Sequence, residues 1–259
     1  MTTKIVCAYH ETVNPKYHPI ILKYPDIFLP VLGGACFYKT GTKKFFDQMQ
    51  RDDDGENVSF YNPYINELTT LYWAYKHYRT IGNPDIIGLC HYRRFMDVDY
   101  DNLDPDKIYG GRILSGHAGG ILGLIDDFVR CTYANFCSDE ILELYLDAYR
   151  NALPEYNFCV DLTLEDMAYY SKNMFIMNRA NFFDFMDYIC RVLRVMFDED
   201  LFREASSIFH PDMHIRRLML IHSRCRGFLM EMFTSIWFER QHLLRQNVIP
   251  TKLIEIMNF

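Results

Sequence analysis

Residues 62–95 read NPYINELTTLYWAYKHYRTIGNPDIIGLCHYRRF, and this stretch decides the fold class. Asn62-Pro63 suits a helix start, because proline is tolerated in the first turn. Leu68, Leu71, Tyr72, Tyr75 and Tyr78 then return at three- and four-residue steps, which predicts one apolar helical face, until Gly82-Asn83-Pro84 stops it. The run DIIGLC that follows is too short for a helix. It ends abruptly in His91, Tyr92, Arg93 and Arg94, and so reads as a buried strand with polar groups at its end.

Working outward, KIVCAY at 4–9 is a second buried strand, with polar HET directly after it. Strand, helix, strand is the pattern of a βαβ unit with a parallel sheet. Between them Pro15, Pro19, Pro25, Pro30 and Gly33-Gly34 interrupt any long element, and RDDDGENVS is a polar loop. A short segment at Arg112–Ser115 precedes a glycine-containing stretch from His117 that fits no phosphate-binding fingerprint. Towards the C-terminus, SDEILELYLDAYRN predicts an amphipathic helix with Ser138 as N-cap. SKNMFIMN at 171–178 predicts another central strand, and 181–197 and 212–245 read as long helices. The expectation is an α/β fold: a Rossmann-type, mainly parallel central sheet flanked by helices, with a helical C-terminal part. With no repeat and no linker-like segment, one domain over 1–259 is expected.

The net charge of −7 argues against a nucleic acid partner, since phosphate backbones call for a basic face. Basic residues are nonetheless concentrated at Arg93-Arg94 and between Arg216 and Arg226, which suits a small phosphorylated ligand better than a polymer. The eight cysteines form no CxxC pair and match no zinc template; several lie in apolar runs, as reduced buried thiols do in a cytosolic protein. The N-terminal apolar stretch is too short for a signal peptide, and no apolar run is long enough to span a bilayer. A cytoplasmic protein is expected, with peripheral attachment to the inner face of the membrane left open. Oligomeric state is not legible.

Ligands of open parallel sheets bind beyond the carboxyl ends of the strands. There DIIGLC presents His91, Tyr92, Arg93 and Arg94. If the strand continues, His91 and Arg93 point one way and Tyr92 and Arg94 the other, so a histidine and an arginine fork would face a diphosphate together. The structural alternative is surface ion pairing for the arginines and packing for His91. The acidic loop DDDGEN, from Asp52 to Asn57, has the residue type of a hard-cation site but not the spacing, and acidic loops are usually solvated. Glu231 sits in the apolar stretch GFLMEMF, where a carboxylate is costly unless it is paired or serves as a base. Glu67 and His10 are further candidates.

In order along the chain, DDDGENVS, NPYINELTTLYWAYKHY, PDIIGLCHYRRF, YYSKNMFIMN and GFLMEMFTSIWFERQ resemble the bacterial DUF4422 family of capsular and exopolysaccharide glycosyltransferases, related to the GT-A superfamily. The block from Asn62 to Phe95 is the most specific. In the last block the family usually has Ser-Glu-Arg where this chain has Met230-Glu231-Met232; Glu231 is kept and the arginine is not, so no role transfers from that arginine. The resemblance implies a GT-A-like fold with a nucleotide-binding half (1–120) and an acceptor-facing half (121–259). It implies transfer of a hexose, galactose or galactofuranose favoured, from a UDP-sugar to an oligosaccharide or lipid-linked glycan in surface polysaccharide synthesis. His91 and Arg93 would stand where GT-A enzymes carry Asp-x-Asp. Cationic side chains could then stabilise the departing diphosphate in place of a metal, with Mn²⁺ the less favoured arrangement and no other cofactor. On this reading His10, Asp52, Asn57, Asn62, His91, Tyr92, Arg93, Arg94 and Asn173 bind donor. Glu231 deprotonates the acceptor, with Glu67 its rival and His91 a further catalytic group. The alternative is a non-catalytic nucleotide-sugar or glycan-binding module, or a scaffold of a polysaccharide assembly complex.

Overall fold

The computed structural model describes residues 1–9, 15, 18–38, 49–114, 139–165, 168–208 and 215–255. KIVCAY forms the middle of the sheet: β1 (Thr3–Tyr9) is buried at every residue from Ile5 to Tyr9. Burial on both faces is what a parallel strand covered on two sides requires, and it accounts for the unbroken apolar run. β2 (Phe28–Leu32) runs parallel to β1, and the two-residue β3 (Gln50–Arg51) runs parallel to β2. β4 (Ile86–His91) runs parallel to β1 on its other side, with Cys7 beside Cys90 and Ala8 beside His91. The order β3-β2-β1-β4 is that of a doubly wound sheet. The chain builds outward from β1 in one direction and returns to place β4 on the other side. The carboxyl ends of β1 and β4 therefore flank the topological switch point, where open α/β sheets hold their ligands.

Beyond β4 the sheet is mixed. β5 (Arg94–Met96) folds back on β4 with Arg94 opposite His91. β6 (Lys107–Leu114) neighbours β7 (Ala168–Asn178), which pairs antiparallel with β4. β8 (Asn247–Thr251) lies parallel to β6, and β9 (Leu253–Glu255) pairs antiparallel with β5. The mainly parallel expectation thus holds for the β3-β2-β1-β4 block and for β6–β8, while SKNMFIMN enters against the direction of its neighbour.

The chain divides into two compact units, Met1–Arg112 with Lys172–Asp184 and Gln246–Phe259, and Ile113–Ser171 with Phe185–Arg245. The first includes two later segments as well as the N-terminal stretch. One of its core clusters gathers Ile5, Cys7, Tyr9, Phe28, Phe95 and Met96. The helix Leu68–Lys76 is buried through Leu68, Leu71, Trp73 and Ala74, and further on Tyr78 stacks on Phe182 at 5.6 Å. The second unit is helical, with helices at Asp139–Ala152, Asn157–Glu165, Glu199–Ile208 and Ile215–Leu243 and most of Arg179–Met196. There Tyr149 stacks on Phe233 at 4.6 Å, and Tyr188 donates to the Phe233 carbonyl at 2.6 Å. Among the described residues no helix is long and apolar enough to cross a membrane. Ser138 and the glycines after His117 lie outside the described residues.

The helix expected from Asn62 is broken. Asn62–Ile65 and Leu68–Lys76 are separate helices, because Asn66 takes φ +50° and redirects the chain. The Asn62 amide caps the first helix by donating to the Asn66 carbonyl at 2.8 Å.

Gly88 is the tightest position of the β4–β7 pairing. A Cβ there would stand 2.6 Å from the Phe175 carbonyl oxygen and 2.8 Å from Ile5 Cδ1. Backbone cannot swing away as a side chain does, so Gly88→Ala should cost at least about 2 kcal/mol. Urea unfolding measures this; an unchanged midpoint would contradict the β4–β7 register.

Candidate active site

Two buried carboxylates, Asp52 and Glu67, lie in the first unit, and their surroundings assign them different work. Glu67 follows the redirected Asn66 and is 7% exposed. Asn173 donates its amide to Glu67 Oε1 at 2.6 Å, and His91 Nε2 stands 3.5 Å from the same oxygen. His91 Nε2 also lies 3.1 Å from the Lys172 carbonyl oxygen. Both neighbours of Nε2 are acceptors, so Nε2 carries the hydrogen and Nδ1 is left as the other working nitrogen of the ring. Burial acts to raise the Glu67 carboxyl, but the facing His91 ring, and after it the Asn173 amide, outweigh burial and hold it below the usual carboxylate range.

The backbone is strained to build this cluster. Lys172 and Asn173 sit inside β7 with φ of +60° and +54°, and neither is glycine. A left-handed non-glycine residue costs of order 1–2 kcal/mol, and such outliers persist where the surroundings enforce them. Here the kink turns the Lys172 carbonyl towards His91 and the Asn173 amide towards Glu67.

His91 closes β4 at the switch point, and Tyr92-Arg93 form a two-residue turn leading into β5. This corrects the alternation expected along HYRR. The strand does not continue; His91 and Arg94 are cross-strand partners and share a face of the sheet. The turn is fastened by the buried His18, whose Nε2 lies 2.9 Å from the Tyr92 carbonyl oxygen. Tyr92 packs against Tyr9 at 5.8 Å, and the Arg93 guanidinium stacks 4.9 Å over the Tyr92 ring. Arg93 is exposed and has no carboxylate partner among the described residues, so its fork is presented to solvent at the end of the sheet. Arg94 is half-buried in β5.

The acidic loop is occupied by its own donors. Asp52 is fully buried and accepts from Gly34 N at 2.9 Å, Ala35 N at 2.8 Å and Ser59 Oγ at 2.5 Å. Gly34 takes φ +65° to offer its amide, with Asn62 packed against it. Asp53 is forked by Arg51 at 2.9 and 2.8 Å. Asn57 closes its own turn on the carbonyls of Asp53 and Gly55. These groups hold the loop together and leave few lone pairs for a divalent ion. Asn62 likewise holds the chain, through Asn66 and Thr69.

The structure therefore brings together His91, Glu67 and Asn173, with Tyr92 and Arg93 on the adjoining turn. It places Asp52, Asn57 and Asn62 in the loop scaffold. Glu231 belongs to the second unit, within the helix Ile215–Leu243, where it is buried and its carbonyl accepts from Ser235 Oγ at 3.0 Å. His10 lies outside the described residues. The Lys172 carbonyl, the redirected Asn66 and the fastening His18 were missed in sequence. The polar run Ser171-Lys172-Asn173, set against the apolar MFIM that follows in the same strand, was the available signal.

Residues 4–115 match the model of DUF4422, a domain of unknown function, so the resemblance holds over a little under half of the chain, the part that carries Asp52, Glu67, His91 and Arg93. An apo structure of WbbM, a bifunctional glycosyltransferase, has the same fold over the whole of this chain, with a TM-score of 0.70 at 17% identity. The chain spans 46% of that protein's length. No curated protein matches. The α/β expectation, a central sheet flanked by helices, is met, and WbbM shares that fold.

Because the Glu67 carboxyl is held below the usual carboxylate range in the folded state, its contribution to stability is present above the unfolded value of about 4.3 and is lost as pH falls through the folded value. Glu67→Gln, which keeps the shape and removes the charge, should flatten that acid limb. Urea unfolding measured between neutral and acid pH checks this; parallel curves for the two proteins would contradict the pairing with His91.

Proposed function

We propose that this chain transfers a glycosyl group from a nucleoside diphosphate sugar to a glycan hydroxyl, with the donor diphosphate held at the switch point by His91 and Arg93. The observation that carries the reading is the Arg93 fork, exposed and without a carboxylate partner among the described residues, on the turn that follows a histidine whose far nitrogen is fixed by Glu67 and Lys172. A hexose on UDP, galactose or galactofuranose, is the preferred donor from the family resemblance. An oligosaccharide or lipid-linked glycan of a surface polysaccharide is the preferred acceptor, and the inner face of the membrane the preferred place. The fold shared with WbbM supports glycosyl transfer as the class of reaction.

In transfer, the bond between the anomeric carbon and the diphosphate oxygen breaks while the acceptor oxygen bonds to that carbon, and negative charge collects on the departing UDP. With its ring cationic, His91 donates from Nδ1 to a diphosphate oxygen while Nε2 stays on the Lys172 carbonyl, and the Glu67 carboxylate balances the ring. Arg93 donates in a fork to the same group. Preorganised positive charge aimed at developing negative charge is the largest single source of such catalysis. Glu67 and Asn173 act as positioning residues, since both are buried and bonded to one another. Glu231 is the proposed base for the acceptor hydroxyl. Transfer is proposed to proceed without a divalent metal, in keeping with an acidic loop whose Asp52 and Asp53 are held by protein donors.

One assay of UDP release, run with and without acceptor, tests these roles together. Wild-type turnover should persist in excess EDTA. Arg93→Ala should weaken donor binding and kcat/KM, and Glu231→Gln should lower kcat about 10²–10⁴-fold with donor affinity kept. Activity lost in EDTA and restored by Mn²⁺ would contradict the metal-free reading. Wild-type turnover in Glu231→Gln would remove that residue from the mechanism, and absence of UDP release under every condition would leave a binding module.

A further inference from the structure

The turn that carries Arg93 is not one that its own backbone favours. A two-residue connection between antiparallel strands is made best by residues at positive φ, whose twist matches that of the strands. Tyr92 and Arg93 join β4 to β5, and neither takes a positive φ. Such a turn has to be held from outside. Both backbone polar groups of Tyr92 are taken: its N–H donates to the Ala8 carbonyl at 3.1 Å, and its carbonyl lies 2.9 Å from His18 Nε2. A carbonyl only accepts, so His18 Nε2 carries the hydrogen.

His18 can hold that carbonyl because it is itself fixed. It is fully buried, its ring lies 4.7 Å from that of Phe95, and Phe95 meets Phe28 edge-on at 5.6 Å. Its backbone opens the short helix Pro19–Lys23, where the Leu22 N–H donates to the His18 carbonyl at 2.9 Å. Burial pushes the pKa of the ring down, with the Tyr92 carbonyl opposing in part, so at neutral pH the ring is an uncharged donor. The Tyr92 carbonyl and the Arg93 N–H belong to one planar peptide. Fixing the carbonyl therefore fixes the direction in which Arg93 leaves the turn. The Tyr92 ring, packed on Tyr9, then gives the guanidinium a face to stack on at 4.9 Å. With no hydrogen bond or ion pair of its own among the described residues, Arg93 takes its place from the turn.

We propose that His18 is a positioning residue for the donor diphosphate: through the Tyr92–Arg93 peptide it sets where the Arg93 fork is presented, without touching the ligand itself. The role rests on the glycosyl-transfer reading above, in which Arg93 grips the diphosphate. A displacement of about 1 Å, even one caused far from the chemistry, can cost on the order of 10²-fold, so a single bond behind the turn has leverage on binding.

Calorimetric titration of the full chain with UDP in EDTA tests it, on wild type, Arg93→Ala, His18→Leu, His18→Gln and the double variant His18→Leu/Arg93→Ala. His18→Leu should weaken UDP binding about tenfold or more, as Arg93→Ala does. His18→Gln, whose amide nitrogen can stand near the place of Nε2, should restore most of the binding that His18→Leu loses. The double variant should bind no more weakly than Arg93→Ala, because the histidine acts only through the arginine. A histidine with a purely structural role would lower the urea midpoint and leave the UDP affinity of the folded protein alone, and that result overturns the proposal. Losses that add in the double variant overturn it too, as does a His18→Gln protein that binds no better than His18→Leu. If His18→Leu does not fold, His18→Asn replaces it: the shorter amide falls short of the Tyr92 carbonyl and should lose UDP where His18→Gln keeps it, and equal binding by the two overturns the role. Wild type that binds no UDP, or Arg93→Ala that binds it as wild type does, sinks the diphosphate reading and this role with it. Binding that needs Arg93 and ignores His18 sinks the role alone.

Discussion

A carboxylate taken out of water must find charge or hydrogen-bond partners, and the requirement at Glu67 organises much of the first unit. To meet it the chain breaks a helix at Asn66 and kinks β7 at Lys172-Asn173. It also ends β4 with His91 facing the carboxylate. Each of these features is unfavourable alone. Together they fix a histidine ring by one nitrogen and release the other, on the strand end where a doubly wound sheet places its ligand. The strain is thus located where a function would make use of it, and the inference runs from the outliers to the role.

Asp52 shows the same physics used for a different purpose. Its partners are backbone amides and a serine hydroxyl, with no titrating ring among them, and it organises turns rather than a proton-bearing group. Two buried acids in one half of the molecule therefore separate by their partners: one orients a polar side chain, the other backbone turns. Burial alone would not have told them apart.

The sheet was legible because its signals are local. Apolar runs of strand length bounded by glycine, proline and charge marked β1, β4 and β7, and the helix between β1 and β4 fixed the parallel pairing. What was not legible depends on contacts between distant residues. Asn173 and Glu67 are 106 positions apart, and nothing in either neighbourhood announces the other. HYRR was expected to prolong a strand because the charges gave no turn signal. The turn exists because Phe95 is drawn into the core at 0% exposure and His18 holds the Tyr92 carbonyl. The acidic loop looked like a ligand site because clustered carboxylates in sequence do not reveal that backbone amides and Arg51 already take them. Glu231 stood out by its apolar context, and it is indeed buried, in the second unit.

The central claim is that His91 faces the donor diphosphate with Nδ1 while Nε2 is held from behind. Nitrogen-15 NMR of the histidine rings reads this directly, in protein titrated with UDP in the presence of EDTA. In the free protein the His91 Nε2 resonance should be that of a protonated nitrogen. On adding UDP the Nδ1 resonance should move towards the protonated position while Nε2 stays in place, and Glu67→Gln should abolish the change. A His91 ring that holds its hydrogen on Nδ1, or one that UDP leaves untouched while binding elsewhere, would contradict the account.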